Sequence, residues 1–320
     1  DFNRDLAPDS VLQKWDSTSY FTLQPDVKGL FKWNSARQLV FSPSAGFKPE
    51  TDYTLHLSTS LLKYTAGHLS LEAAEYKFST EALKLQNVQT WWTLAPGSSE
   101  QLLFHASLNF NYEVNPDELR GKISAVINGK NVAVKVAEQN ISTNLQITAE
   151  GLTRSDAAKG TYTITLNDGI KCTECSKGAK SIAYTGTIYP VTQLEFTSFE
   201  SGFENGDGFI RLYSNQPVSM SGIEKLITVT PSPAYKIEQN ESGITLRGGF
   251  SAGSTYEISI HQTLQGLLGG AMLNDYYTNV SFGEQEPGIA FVHSKGMYLT
   301  SKGNRKIGIQ IVNMPKVKVA

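Results

Sequence analysis

Cys172-Thr173-Glu174-Cys175 contains the only two cysteines among 320 residues. A Cys-x-x-Cys pair can ligate a metal, exchange disulfides or close a small loop. A structural zinc takes four ligands, and this pair supplies two. A redox site wants a helix N-terminus on a thioredoxin-like fold, and this pair lies in a loop between strand-like runs. A loop-tip disulfide between Cys172 and Cys175 and two free thiols both stay open. The five histidines are His56, His68, His105, His261 and His293, and none forms a His-x-x-x-His or His-Glu pair. His56 and His105 fall at strand positions expected to face outward, solvated or hydrogen-bonded rather than catalytic. No nucleophile elbow of a serine hydrolase is expected. The glycine pairs Gly248-Gly249 and Gly269-Gly270 lack the lysine of a phosphate loop and read as turns or bulges. Asn205-Gly206-Asp207-Gly208, with Glu200 and Glu204, is acidic enough for calcium, but its spacing is that of a hairpin rather than an EF-hand. No metal, cofactor or catalytic group is expected.

Trp91-Trp92 is the pair best suited to recognition. Adjacent strand residues face opposite ways, so both cannot enter one core. One is expected in a core and the other in a domain interface, with an exposed binding patch as the alternative.

The elements that would carry these residues are strands. Tyr53-Thr54-Leu55-His56-Leu57, Tyr162-Thr163-Ile164-Thr165-Leu166 and Tyr256-Glu257-Ile258-Ser259-Ile260 all alternate. Period two suits a sheet with one buried face. Turn signals at Asn128-Gly129 and Asn167-Asp168-Gly169 separate such runs. A helical turn is expected near residues 115–119, where Asn-Pro-Asp-Glu suits a helix start. Hydrophobic residues make up 40% of the chain, enough for packed cores and against disorder. With 28 basic and 30 acidic residues, no nucleic-acid groove is expected. No apolar run approaches the roughly 18 residues of a membrane span.

The three tyrosine-led runs stand 109 and 94 residues apart, about the size of one immunoglobulin-like sandwich. The first and third share more. Phe47 and Phe250 each precede their tyrosine by six residues, and Leu61 and Leu264 follow by eight. Gly67 and Gly270 follow by fourteen, Leu69 and Met272 by sixteen, and Phe78 and Phe282 close the last strand. The pattern predicts an aromatic plug at the sandwich end, a strand with Tyr and two aliphatics facing inward, and a final inward Phe. In the looser middle copy Leu152 stands in the plug position. The fold class expected is all-β, as tandem immunoglobulin-like β-sandwiches over 1–82, 83–190 and 191–283, with 284–320 opening a further domain. The chain begins Asp1-Phe2 and stops inside an alternating run, and it reads as a piece of a longer protein.

Leu23-Gln24-Pro25-Asp26-Val27-Lys28-Gly29-Leu30-Phe31-Lys32-Trp33, leading into Phe47-Lys48-Pro49-Glu50-Thr51-Asp52-Tyr53, resembles a bacterial immunoglobulin-like domain of bacterial alpha-2-macroglobulins. Ser214-Asn215-Gln216-Pro217-Val218, with Ile227-Thr228-Val229-Thr230-Pro231, resembles the opening of a second. Gly296-Met297-Tyr298-Leu299 with Gly303-Asn304-Arg305-Lys306 is similar to the start of a macroglobulin-like domain. The resemblance implies an N-terminal, non-catalytic scaffold of a protease-trapping protein in the bacterial envelope, periplasmic and anchored as a lipoprotein. The implied partners are the remaining macroglobulin domains, target proteases and envelope or peptidoglycan-synthesis proteins. The family's thioester motif is Cys-x-Glu-Gln. Cys172-Thr173-Glu174-Cys175 places Cys175 where that glutamine is required, so it cannot form the thioester. The rival reading is a surface adhesin or carbohydrate-binding array.

Overall fold

The computed structural model describes residues 1–65, 69–71, 73–204 and 206–283, together with the backbone of strands at 288–291 and 309–312. The chain is all-β, in small antiparallel sheets packed as pairs. The first pair uses β1 (Trp15–Asp16), β2 (Phe21–Gln24), β3 (Gly29–Ser35), β4 (Gln38–Pro43), β5 (Asp52–Leu57) and β6 (Glu75–Ser79), in orders β1-β3-β4 and β2-β5-β6. Tyr20, Phe31, Trp33 and Leu61 form its core.

The second pair is the largest. It comprises β7 (Leu85–Leu94), β8 (Gln101–Val114), β9 (Ile123–Ile127), β10 (Lys130–Val132), β11 (Val134–Val136), β12 (Ser142–Thr153), β13 (Gly160–Leu166) and β14 (Ile182–Ile188). The sheets run β11-β12-β8-β7 and β10-β9-β13-β14. The expected helical turn is a single 3₁₀ turn at Pro116–Glu118, where the Asn115 side chain accepts from the Asp117 N–H.

The third pair holds β15 (Phe196–Glu204), β16 (Asp207–Ser214), β17 (Ile227–Thr230), β18 (Tyr235–Asn240), β19 (Gly243–Gly248), β20 (Thr255–Ile260) and β21 (Tyr276–Ser281), in orders β15-β16-β19-β18 and β17-β20-β21. β22 (Gly288–Phe291) and β23 (Ile309–Val312) pair antiparallel with each other. Gly67, the third copy's Gly270 counterpart, and the segment Gly296–Lys306 lie outside the described residues.

The tyrosine-led runs are the central strands β5, β13 and β20. In the first and third units the tyrosine does the same work. The Tyr53 hydroxyl accepts from the Lys48 N–H at 2.9 Å, and the Tyr256 hydroxyl accepts from the Ser251 N–H at 2.9 Å. Each bond ties the strand to the residue just after the plug phenylalanine. The rings of Phe47, Tyr53 and Phe78 pack mutually within 5.6 Å, and those of Phe250, Tyr256 and Phe282 within 5.7 Å. The phenol keeps its apolar body in the core and spends its hydroxyl on a turn that would otherwise leave an N–H unpaired.

Three expectations need correcting. Phe282 is 3% exposed, but Phe78 is 38% exposed, and Leu55 and Leu57 are only half-buried. Phe203 of β15 lies 5.3 Å from Phe282 and covers it. The first unit's facing sheet has three strands rather than four, so nothing matches that cover. In the middle unit Leu152 is fully buried, yet Tyr162 packs instead on Phe104 at 5.4 Å. Across the ladder from Tyr162 stands Gly186, where a Cβ would fall 2.3 Å from the phenol oxygen.

These contacts predict unequal costs in the two related units. Tyr256→Phe should destabilise the third unit by about 1 kcal/mol through the lost hydrogen bond. Phe282→Ala should cost it about 3–5 kcal/mol, and Phe78→Ala in the first about 1 kcal/mol, because the site is already wet. Urea unfolding of the three variants checks this; equal losses for the two phenylalanines would contradict the asymmetry.

Candidate functional site: the junction of the second and third units

Ser214-Asn215-Gln216 ends β16, and all three residues are buried: Asn215 is 3% exposed and Gln216 fully enclosed. Buried carboxamides are costly unless every donor and acceptor is met. Both are met by backbone from other segments. Asn215 Nδ2 donates to the carbonyls of Gln193 at 2.9 Å and Pro190 at 3.2 Å, and its Oδ1 accepts from the Glu195 N–H at 2.9 Å. Its own carbonyl accepts from the Trp92 N–H of β7 at 2.8 Å. Gln216 Nε2 donates to the carbonyls of Val191 and Gln193, both at 2.9 Å. Its Oε1 accepts from the N–H groups of Leu268 and Gly270 at 3.0 and 3.3 Å. That is the full capacity of one carboxamide.

The loop that Gln216 holds is shaped to receive it. A Cβ on Gly266 or Gly270 would fall 2.2 Å from the Gln216 carboxamide, so neither position admits a side chain. Gly269-Gly270, read from sequence as a turn, thus makes room for a buried amide. The same loop carries Leu268 out of the third unit and into the core of the second, where it is 4% exposed. Arg154 of the second unit donates to the Leu268 carbonyl at 2.8 Å. Val191 of the linker packs in that core too, and its N–H bonds the Ala157 carbonyl.

Trp92 faces the second unit's core, 4.9 Å from Phe104. Trp91 faces the other way, 4% exposed, stacked on His105 at 5.2 Å. The neighbour across this face is the third unit, although the pair immediately follows the first in the chain. His105 points to the outer face, where Trp91 and the hydroxyls of Thr93 and Thr148, at 2.8 and 3.1 Å, enclose it. Burial pushes the imidazole below its usual value of 6.5, against an opposing pull from Glu241 of the third unit. His56 is exposed, as read; His68 and His293 lie outside the described residues.

Cys172 and Cys175 are joined by a disulfide. It sits at the end of β8, where the Thr173 N–H bonds the Glu113 carbonyl, and Cys172 is buried in the core edge. The acidic hairpin residues meet arginines. Glu204 bonds Arg211 and Arg247, and Glu200 pairs with Arg211 at 3.3 Å. Burial works to raise the Glu204 carboxyl, and the two guanidiniums outweigh it and hold it low. Among the described residues no three metal-ligating side chains converge. One pattern the sequence reading passed over is Gly249-Phe250-Ser251-Ala252-Gly253, which spells Gly-x-Ser-x-Gly. It crosses from β19 in one sheet to β20 in the facing sheet, and a nucleophile elbow needs a strand-to-helix turn. Ser251 instead gives its N–H to Tyr256.

Two outcomes follow for the junction. Gln216→Leu should destabilise the second and third units by more than about 3 kcal/mol, because it strands the Leu268 and Gly270 N–H groups and the Val191 carbonyl, while the Gln193 carbonyl keeps Asn215. Leu268→Ala should cost about 2–4 kcal/mol, although Leu268 belongs to the other unit. Denaturant unfolding measures both, and a Leu268→Ala loss confined to the third unit's transition would argue against a shared core. The His105 ring also predicts pH dependence. The unfolded chain binds its proton near 6.5, and the folded chain only at lower pH. Stability should therefore fall as pH drops below about 6.5 and level once the folded ring protonates. His105→Gln should flatten that fall in melting curves; an unchanged fall would place its origin elsewhere.

No family model matches the chain. It is 22% identical over 237 residues to a protein named alpha-2-macroglobulin homolog from Yersinia pestis, covering 70% of this chain and 12% of that protein. Among solved structures, Titin Ig tandem domains align with 64% of this chain and 98% of theirs, at 9% identity and a TM-score of 0.20, too loose to carry an argument. The chain is thus similar, along most of its length, to a short part of an alpha-2-macroglobulin homolog, the family its residues resemble.

Proposed function

We propose that this chain is a non-catalytic scaffold from the N-terminal side of a bacterial alpha-2-macroglobulin-like protease inhibitor, built of modules over 1–82, 83–190 and 191–283. Residues 284–320 would open the macroglobulin-like domain that follows. The observation that carries the reading is the sealed junction. A leucine of one module in the core of the next, beside a fully bonded buried glutamine, fixes orientation between neighbours. Fixed orientation is what a spacer must supply if the trapping parts are to face a protease. Short linkers without such a seal leave relative motion as the default. The similarity to the Yersinia pestis protein supports the same reading. In this proposal the full protein sits in the envelope, held at a membrane by a lipid anchor and facing proteases there. No helix among the described residues is long and apolar enough to cross a membrane.

The test compares this chain with the full-length protein, each mixed with a protease. The full-length protein should slow cleavage of a large protein substrate while sparing a small peptide substrate. This chain alone should change neither rate and cleave neither substrate. Hydrolysis by the chain itself, or a full-length protein that leaves the protease untouched, would refute the proposal.

A further inference from the structure

Alternate residues on neighbouring strands line up across the outer face of the sheet β11-β12-β8-β7. The register sets Asn87, Asn109 and Asn144 in one rung. Gln89, Ser107 and Gln146 form the next, and Trp91, His105 and Thr148 the third. Five carboxamides thus crowd onto two rungs of one sheet face. The third unit stands over them and closes a groove of about 490 Å³, with Ser198, Phe199, Glu200 and Tyr213 on the far wall. Gln89 spans the groove to Ser198 at 3.0 Å, and Asn144 is held by Asn109 and Ser107, both at 2.7 Å.

The chemistry of this groove is uncharged and amphoteric in hydrogen bonding. A carboxamide offers two donors and two acceptor positions, which match a hydroxyl or an acetamido group in either sense. Glu200, the carboxylate of the wall, is already engaged by Arg211 at 3.3 Å and by the Tyr213 hydroxyl at 2.8 Å. Phe199, 41% exposed, presents an apolar ring at the rim. Trp91 closes one end, and its buried indole N–H has no acceptor among the described residues. An extended peptide would instead pair along a sheet edge, and on β7, the edge strand, the Trp92 N–H is already given to Asn215.

We propose that the groove between the second and third units binds an uncharged oligosaccharide, with the Asn and Gln ladder pairing to its hydroxyl or acetamido groups and Phe199 against a sugar face. This goes beyond the scaffold role and does not depend on it.

The test is titration of the intact chain with triacetylchitotriose and with cellotriose, followed by calorimetry and tryptophan fluorescence. Saturable binding of either sugar with a change in tryptophan emission is expected. The double variant Asn87→Ala with Gln146→Ala should weaken it by about tenfold or more. Both side chains are exposed, so its melting temperature should match the parent. No heat with either sugar up to about 10 mM, or binding that the double variant leaves intact, overturns the proposal. So does binding confined to an anionic trisaccharide or an extended peptide.

Discussion

A primary amide sealed away from water must find four partners or it destabilises the fold around it. Gln216 finds all four, two in the linker and two in a loop fifty residues further on. Each partner is a backbone group, so the arrangement dictates the path of three chain segments at once. The path in turn delivers Leu268 to the neighbouring core and presses Val191 beside it. Removing one amide would thus disturb two hydrophobic cores, because only the Gln193 carbonyl among its four partners is also held by Asn215. Similar accounting applies to Asn215, which sets the linker against β7.

Within each unit a different device sets the strand ends. In the first and third, a phenol inside an aromatic triad reaches back to the turn that precedes it. The triad survives a change of cover. Where Phe203 lies over it the rings are sealed, and where the facing sheet lacks that strand Phe78 stays wet. The middle unit uses neither arrangement. Its long strands β8 and β12 bury enough aliphatic surface that the tyrosine becomes one packing element among many.

The outer face of that middle unit shows how a neighbour changes chemistry without touching the fold. Trp91 stands on the face that the third unit overlies and is 4% exposed there. Burial among its own strands lowers the His105 imidazole, and Glu241 of the third unit pulls the other way. A polar rung two residues along the same strands stays open to the groove.

Much of this was legible in the chain. Period-two runs follow directly from the pleat, so β5, β13 and β20 could be read from Tyr53, Tyr162 and Tyr256. The spacing of Phe47 and Phe250 marked a shared local device, because a turn and its strand are close in sequence. Other features depended on contacts between distant segments. The cysteine pair was equally compatible with thiols and a disulfide until Cys172 was set against the end of β8. One of Trp91 and Trp92 had to leave the core, but only the tertiary structure decided that it was Trp91 and that the third unit lies across it. Gln216 looked like any polar loop residue, since nothing local distinguishes an amide facing water from one whose partners lie at positions 191, 193, 268 and 270. Local periodicity is written by the backbone's own geometry; burial of a polar group is written by whatever the rest of the chain brings to it.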